Sequence, residues 1–302
     1  MLQLMPQPSK APAWKRAVND VLRRTTGYQF ERAVPSHNVP SAPAAQRPGG
    51  RGAKPKPAAK PGPKRTAETQ PKPIRVPDHY DEWAADVIRR VTPRTMTSPV
   101  KLFGLVQAIR YVVAAGVAGD IVECGVWRGG SMQAVAWTLL ELNDADRDLY
   151  LFDTFEGMPP PSEHDKRIRD GSSAEDLLER HDRTHAVWAY AGLDDVREGM
   201  VETGYPAERT HFVQGLVEDT IPSGAPQQIS VLRLDTDWYA STKHELEQLY
   251  PRLAPGGVLI LDDYGHWDGA RKATEEYLAE IDDELLLLPI SSGRIAVKPL
   301  KS

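Results

Sequence analysis

From about residue 78 onward, the chain alternates between short apolar runs and stretches in which apolar residues recur at helical spacing. Short apolar runs indicate buried strands, and apolar residues three and four positions apart indicate one face of a helix. This alternation is typical of a mostly parallel sheet with helices on both faces, so the pattern predicts one α/β domain over residues 78–302. The predicted strands are Asp120–Glu123, Leu149–Phe152, His211–Val213, Ile229–Leu234 and Val258–Leu261, followed by an antiparallel hairpin of Leu285–Leu288 and Arg294–Val297.

Three apolar stripes between the predicted strands indicate helices that pack on the sheet. They consist of Leu102, Leu105, Ile109 and Val112; of Met132, Val135, Ala136 and Leu139; and of Leu246, Leu249, Tyr250 and Leu253. The segment from Glu156 to Tyr205 interrupts this alternation after the second strand, and its start is charged and rich in proline. Because insertions at this edge of a sheet commonly cover a substrate, we expect this segment to form a lid.

The N-terminal part of the chain differs from the rest in charge and composition. Residues 1–75 carry 15 Lys and Arg against 3 Asp and Glu, which leaves 22 against 39 in the remainder. Residues 35–77 are rich in Pro, Ala, Lys and Gly, a composition that predicts a disordered linker. Residues 1–34 place Trp14, Val18, Val21 and Leu22 at helical spacing among basic residues. They predict a short basic amphipathic helix that contacts an anionic membrane surface or a partner, or a weakly structured solubilising tail.

Composition excludes several classes of protein. The chain has one cysteine, Cys124, which cannot form an intramolecular disulfide or a thiolate zinc site. We therefore expect the protein to be located in a reducing cytosol. We expect any contact with a membrane to be peripheral and to involve the N-terminus. No run approaches the ~18 apolar residues of a membrane span, and the N-terminus lacks the apolar core of a signal peptide. The net charge of the remainder is −17, which would repel phosphate, so we expect no nucleic-acid partner.

A glycine-rich turn follows the first predicted strand, in the segment from Glu123 to Ser131. Glycine lets a ligand approach the backbone, and the N-terminus of the following helix offers unpaired N–H donors. The pattern E-x-G-x-x-x-G-G-S lacks the spacing of a dinucleotide fingerprint and the Lys-Ser/Thr ending of a P-loop. Glu123 could accept a hydrogen bond from a cationic ligand such as an amino group. By itself, the turn is equally consistent with a tight turn of no catalytic significance.

Carboxylates follow three of the predicted strands. Asp153 ends the second strand, where an acid often binds ribose hydroxyls, although it could also cap a helix. The pairs Asp235 with Asp237 and Asp262 with Asp263 follow two further strands, and the carboxyl ends of parallel strands meet at one edge of a sheet. Such acids favour Mg²⁺, Mn²⁺ or Ca²⁺, unless they are separate helix caps. The nearby His266 contacts a metal-bound water or a substrate hydroxyl in one interpretation and is a polar loop residue in the other.

Five segments in order resemble the macrocin O-methyltransferase family over about Met96 to Val297. They read MTSPVKLFGLVQAIRYVVAAGVAGDIVECGVWRGGSM, LFDTFEGMPPP, GLVEDTIP, LRLDTDWYASTKHELEQLYPRL and APGGVLILDDYGHWDGARKA. The resemblance implies a Rossmann-like class I methyltransferase that uses S-adenosylmethionine and a divalent metal such as Mg²⁺ to methylate a sugar hydroxyl in a glycoside, glycan or glycosylated natural product. We also expect a homo-oligomer.

The resemblance assigns roles to individual residues. Glu123, Gly125 and Ser131 would bracket the methionine moiety, Thr97 would approach the cofactor, Asp153 would hold the ribose, and Gly215 to Glu218 would border the adenine. The metal ligands would be Asp235, Asp262 and Asp263, and Asp235 or Asp237 would be the general base. Thr236 stands where family members commonly have Gly, which leaves the choice between these two aspartates open.

Two other functions stay open at this stage. A catechol-type phenol O-methyltransferase uses a similar trio of acids on the same fold, although the lid insertion favours a glycoside. A non-catalytic cofactor-binding scaffold would be expected to lose at least one of the acids, and this chain has them all.

Overall fold

The computed structural model describes residues 75–300. The predicted N-terminal helix, residues 1–34, lies outside this range, and so does the predicted linker up to residue 74, so both stay predictions. Within residues 75–300, no helix is both long enough and apolar enough to cross a bilayer.

The described part of the chain alternates helices and strands in the order that the sequence predicts. The helices are α1 (Glu82–Val91), α2 (Pro99–Ala114), α3 (Gly130–Glu141), α4 (Ala174–Glu179), α5 (Leu193–Val201), α6 (Val217–Thr220), α7 (Tyr239–Leu249) and α8 (Asp268–Glu280). The strands are β1 (Asp120–Cys124), β2 (Leu149–Asp153), β3 (Thr210–Gln214), β4 (Ile229–Leu234), β5 (Leu253–Leu261), β6 (Leu288–Ile290) and β7 (Gly293–Val297).

The seven strands form one sheet in the order β3-β2-β1-β4-β5-β7-β6. Strands β1 to β5 pair in parallel, and β7 runs antiparallel to both β5 and β6. This arrangement confirms the predicted α/β fold of the Rossmann-like methyltransferase class. The strand order reverses between β1 and β4, and open α/β sheets bind ligands outside the carboxyl ends of the strands at such a point.

The structure corrects three predicted boundaries, and one of them is the start of β5, which is Leu253 rather than Val258. Strand β6 begins at Leu288 rather than at residue 285, and the preceding Leu286 is 74% exposed. The third apolar stripe does not lie on one helix, because α7 ends at Leu249, a short 3-10 helix (Tyr250–Arg252) follows, and Leu253 begins β5. Pro251 lacks the N–H that a continuing α-helix requires, which explains this early end.

Both faces of the sheet are covered by hydrophobic cores. On one face, Ile109 of α2 and Met132 of α3 pack with Ile121 of β1. On the other face, Leu246 of α7 packs with Val122, the next residue of β1. Successive strand residues point to opposite faces, so burial on both sides explains why the strands read as continuous apolar runs.

The insertion after β2 packs against the carboxyl edge of the sheet. Its helix α4 contributes Leu177 to a cluster that includes Trp238 and Trp267, which follow β4 and β5. The buried carboxylate of Asp165 accepts a hydrogen bond from the Tyr239 N–H at the start of α7, at 2.8 Å. These contacts fix the insertion as one wall of the site at this edge.

Candidate active site

A cavity of about 430 Å³ lies at the carboxyl edge of the sheet, beneath the insertion. It brings together nearly all the site residues that the sequence predicts, from six separate segments of the chain. Those that line it are Thr97, Gly125, Ser131, Asp153, Gly215, Glu218, Asp235, Asp237, Asp262, Asp263 and His266.

The glycine-rich turn is required by packing at this edge. Gly125 has a φ of +82°, and a Cβ atom on it would lie 2.1 Å from the carbonyl oxygen of Asp235. Gly130, the first residue of α3, would place a Cβ 2.5 Å from the carbonyl oxygen of Arg94. The backbone of the glycine-rich turn and the first residue of α3 therefore approaches two other segments too closely for any side chain at these positions, quite apart from any ligand.

Asp153 holds the glycine-rich turn in place. Its Oδ2 accepts hydrogen bonds from the N–H groups of Val126 at 2.7 Å and Trp127 at 3.0 Å, and its Oδ1 accepts one from Phe155 at 2.7 Å. Burial raises the pKa of the Asp153 carboxyl, and these N–H donors oppose the rise. The residue thus joins the ends of β1 and β2, and its role toward a ribose stays a prediction.

Four carboxyl groups converge where β4 and β5 end. Asp235, Asp262 and Asp263 each offer an oxygen within 4.8 Å of the others. Asp237, with a φ of +67°, lines the cavity beside them, and Asp263 and Trp267 are among the groups that act on its pKa. Burial and the neighbouring carboxylates raise the pKa of Asp237 to about 7 and raise that of Asp263 as well. One oxygen of Asp263 is buried without a hydrogen-bond partner.

Arg233, which the sequence analysis missed, lies beneath this cluster. Its side chain is only 4% exposed and lies 2.8 Å from Oδ2 of Asp235 and 2.6 Å from Oδ1 of Asp262. It also pairs with Glu123, its register partner in the adjacent strand. A charged residue within the apolar run of β4 was the available signal, because a buried arginine requires carboxylate partners.

Lys101 is the second cation at the site, and the sequence analysis did not predict it either. Its Nζ lines the cavity, donates to the carbonyl oxygen of Asp262 at 2.9 Å and pairs with the Asp262 carboxylate. Both oxygens of that carboxylate therefore contact cationic side chains, which explains why the pKa of Asp262 is lowered despite its burial. Lys101 follows the start of α2 by two residues, a position without a distinctive pattern in sequence.

Glu123 lies behind the cavity and does not line it. Its side chain is 1% exposed and directed at Arg233, and its second oxygen has no hydrogen-bond partner. Burial raises the pKa of this carboxyl to about 7, against the opposing effect of Arg233. Its direct contact is with an internal cation, and its predicted contact with a cationic ligand stays a prediction.

At each end of the cavity, polar side chains contact other polar side chains of the same end. Thr97 Oγ1 accepts a hydrogen bond from Arg233 at 2.9 Å and lies 3.5 Å from Ser131 Oγ. At the other end, Ser241 Oγ donates to Glu218 at 2.9 Å. His266 is exposed at the rim and donates its backbone N–H to the Asp263 carbonyl at 2.8 Å. The cavity is thus continuous from the predicted adenine end to the acid cluster.

The donor set fits a divalent cation. The site contains five carboxyl groups, those of the four strand-end aspartates and of Glu123. Its cationic side chains are two, Arg233 and Lys101. The unpartnered oxygen of Asp263 and the raised pKa values mark a cluster that lacks positive charge. Because all its donors are oxygens, the cluster suits Mg²⁺ or Mn²⁺ better than zinc.

Comparison with known proteins identifies the family. A family described as Macrocin-O-methyltransferase matches residues 64–287, which is most of the chain. The chain belongs to the macrocin O-methyltransferase family. It is accordingly an S-adenosylmethionine-dependent O-methyltransferase, as the resemblance in sequence implied.

Three curated relatives are about one-third identical to the chain over the segments that align. An 8-demethyl-8-(2,3-dimethoxy-alpha-L-rhamnosyl)-tetracenomycin-C 4'-O-methyltransferase of Streptomyces olivaceus is 37% identical over 61% of this chain and 67% of its own. Demethyldecarbamoylnovobiocin O-methyltransferase of Streptomyces niveus is 33% identical over 68% and 74%. Mycinamicin III 3''-O-methyltransferase of Micromonospora griseorubida is 32% identical over 64% and 74%.

Solved structures have the same fold. The O-methyltransferase NovP superposes with a TM-score of 0.59 at 30% identity, covering 68% of this chain and 83% of its own. The calicheamicin methyltransferase CalS11 superposes with a TM-score of 0.53 at 21% identity, covering 72% and 94%. The first likeness accords with the family, and the second supports the fold alone.

Proposed function

We propose that this enzyme methylates a hydroxyl group of a sugar in a glycosylated natural product, with a divalent metal at Asp235, Asp262 and Asp263. The observation that carries the proposal is the trio of acids that shares one cavity with the predicted cofactor residues. It is supported by the named activity of two relatives, a methyltransferase of a rhamnosyl tetracenomycin and one of mycinamicin III.

The cofactor would occupy the part of the cavity between the glycine-rich turn and Glu218. S-adenosylmethionine supplies an electrophilic methyl group when it is bound. Gly125 and Gly215 line this part of the cavity, and Asp153, which also lines it, would hold the ribose. The protein must then align the acceptor oxygen with the methyl group, because in-line displacement is sensitive to small errors in position.

The metal would be held by the trio of carboxylates at the other end. A bound divalent cation lowers the pKa of a hydroxyl group much as it lowers that of water. Sugar hydroxyls are weak acids, so such help is needed near neutral pH. Arg233 and Lys101 fix the carboxylate of Asp262 from two sides and so orient this donor before any ligand arrives.

Asp237 is the candidate general base. It lines the cavity and does not belong to the trio of candidate metal ligands. Asp235, the alternative in the sequence analysis, is paired with Arg233 and is one of the trio. We therefore assign removal of the acceptor proton to the carboxylate of Asp237.

The test is methyl transfer by the full-length chain to a panel of rhamnosyl glycosides and catechols, followed by mass spectrometry with Mg²⁺ or with EDTA. We expect methylated glycoside that is lost in EDTA and in Asp263→Asn. The matched control is Asp268→Asn, because Asp268 pairs with Arg271 and does not line the cavity. Turnover that persists in EDTA would refute the proposed dependence on a divalent metal. Methylation of catechols alone would refute the proposal that the acceptor is a sugar hydroxyl.

A further inference from the structure

A second cavity, of about 460 Å³, adjoins the first beside the insertion. The two cavities share the wall formed by Trp127, His185, Ala186 and Ala189, and the second is completed by Arg183, Thr184 and Tyr190. None of the residues predicted to bind cofactor or metal lines it. Its volume lies within the range of small-molecule sites, so it can hold a group that extends from a ligand in the first cavity.

The wall of the second cavity combines aromatic rings with one cation. Trp127 and Tyr190 supply the rings, and the residue Tyr190 is 54% exposed. The cation is Arg183, whose guanidinium lies 5.3 Å from the centre of the Trp188 ring. Among residues 75–300, no carboxylate lines this cavity, although residues 76–302 carry 22 Lys and Arg against 39 Asp and Glu. An acid-free wall on such an acidic domain favours an anionic ligand.

Arg183 differs from the neighbouring arginines in its pairing. Arg180 pairs with Asp176 at 3.6 Å, and Arg167 pairs with Asp170 at 2.8 Å. Among the residues that the structure describes, no carboxylate lies within ion-pair distance of Arg183, whose one recorded contact is the ring of Trp188. A guanidinium in this situation keeps its donors for a ligand, and its planar geometry matches a carboxylate or a phosphate.

The wall is preformed by contacts within the protein. Trp127 and Ala189 both have left-handed backbone conformations, with φ of 48° and 42°, which are costly for residues other than glycine. Asp153 holds the Trp127 N–H at 3.0 Å, and the Trp188 indole donates to the His181 carbonyl at 2.9 Å. Strained conformations that are fixed in this way cluster at ligand sites, where they position side chains.

We infer that the second cavity is a subsite for the part of the acceptor beyond the methylated sugar, and that it binds a ring bearing a carboxylate or phosphate. Arg183 would pair with the anion, and the faces of Trp127 and Tyr190 would pack against the ring. Uronic acids carry such a carboxylate, and nucleoside diphosphate sugars carry such phosphates. The inference rests on the proposed function, because it requires an acceptor in the first cavity.

The experiment measures binding by titration calorimetry to the full-length chain with S-adenosylhomocysteine and Mg²⁺ present. The probes are p-nitrophenyl β-D-glucuronide, its neutral counterpart p-nitrophenyl β-D-glucoside, and dTDP-glucose. We expect an anionic probe to bind at least tenfold more tightly than the glucoside. Arg183→Gln should reduce this ratio to within a factor of three of unity. Arg180→Gln, which removes the same charge outside the cavity, should retain it.

The outcomes separate this inference from the proposed function. The probe that binds more tightly, glucuronide or dTDP-glucose, identifies the source of the anion. A glucoside that binds as well as both anions, or an unchanged ratio in Arg183→Gln, overturns the subsite while sugar methylation stands. If the chain methylates no glycoside of the panel above, the proposed function fails and the inference falls with it.

Discussion

Replacing Arg233 by methionine would remove the cation that Glu123, Asp235 and Asp262 share. Methionine retains much of the apolar stem, so the change chiefly removes charge and hydrogen bonds. The side chains involved are almost fully enclosed, with exposures of 4% for Arg233, 1% for Glu123 and 7% for Asp262. The variant would therefore leave two buried carboxyl groups without this partner.

The expected loss of stability follows from this burial. Removing one partner of a buried ion pair costs about 3–5 kcal/mol, because the remaining charge stays buried and unpaired. Burial raises the pKa of Glu123 to about 7. The contribution of this carboxyl to folding stability is therefore complete below its ordinary pKa and is lost as pH rises through 7. Without Arg233 its pKa rises further, so the loss should be larger at pH 8 than at pH 5.5 by ~1 kcal/mol or more.

The assay is urea unfolding of the full-length chain in EDTA at both pH values. Arg180→Met is the control, since the Arg180 side chain is 68% exposed and its pair with Asp176 should contribute less than about 1 kcal/mol. The double variant Glu123→Gln with Arg233→Met should recover part of the loss. A loss below about 1 kcal/mol, or one that is equal at both pH values, would refute the argument that buried charge dominates here.

Three further predictions concern the base, the glycine-rich turn and a helix cap. Asp237→Asn should lower kcat at least ~100-fold, as expected for loss of a general base, with the Kd of S-adenosylhomocysteine unchanged in calorimetry; a normal kcat would eliminate Asp237 as the base. Gly125→Ala should lower the free energy of unfolding by ~2 kcal/mol or more and weaken S-adenosylhomocysteine binding, because its Cβ would clash with the backbone of Asp235. Gly171→Ala, which is also at positive φ but in open space, should leave this binding intact. Equal binding by the two alanine variants would contradict the packing argument. Asp81→Ala removes the N-cap of α1 and should cost about 0.5–2 kcal/mol in urea unfolding, more than Asp86→Ala on the same helix. Hydrogen bonds from the Arg110 guanidinium, and to a lesser extent from the Ala84 N–H, lower the pKa of Asp81 to about 2. The contribution of Asp81 is therefore present above its ordinary pKa and should fade as pH falls toward 2, so a cost that is independent of pH over this range would be inconsistent with this explanation.

The sequence predicted the fold and the acid cluster because both depend on simple periodic features. Strand-end acids in a parallel sheet must meet at one edge, so Asp235, Asp262 and Asp263 could be placed together without coordinates. The alternation of apolar runs predicted the set of strands, with errors in the bounds of some elements. The helix α7 ends early, before Pro251, β5 begins five residues before the predicted Val258, and the leucines at residues 285–287 precede β6 without belonging to it.

The sequence could not predict how the acids are neutralised. Arg233 lies within an apolar run, and only the register of β1 against β4 places it opposite Glu123. Lys101 reaches Asp262 across a separation of 161 residues, which no local pattern encodes. The charge balance of the site is therefore a property of tertiary packing, which gives Glu123 an internal ion-pair partner, and its predicted contact with the cofactor stays a prediction.

The central claim is that the trio of acids binds one divalent cation in the same cavity as the cofactor. Its most direct test is to count bound Mn²⁺ by electron paramagnetic resonance in the full-length chain with S-adenosylhomocysteine. We predict one ion per chain, lost in Asp263→Asn while the Kd of S-adenosylhomocysteine stays within a factor of three. No bound ion in the natural sequence, or undiminished binding in Asp263→Asn, would contradict the account.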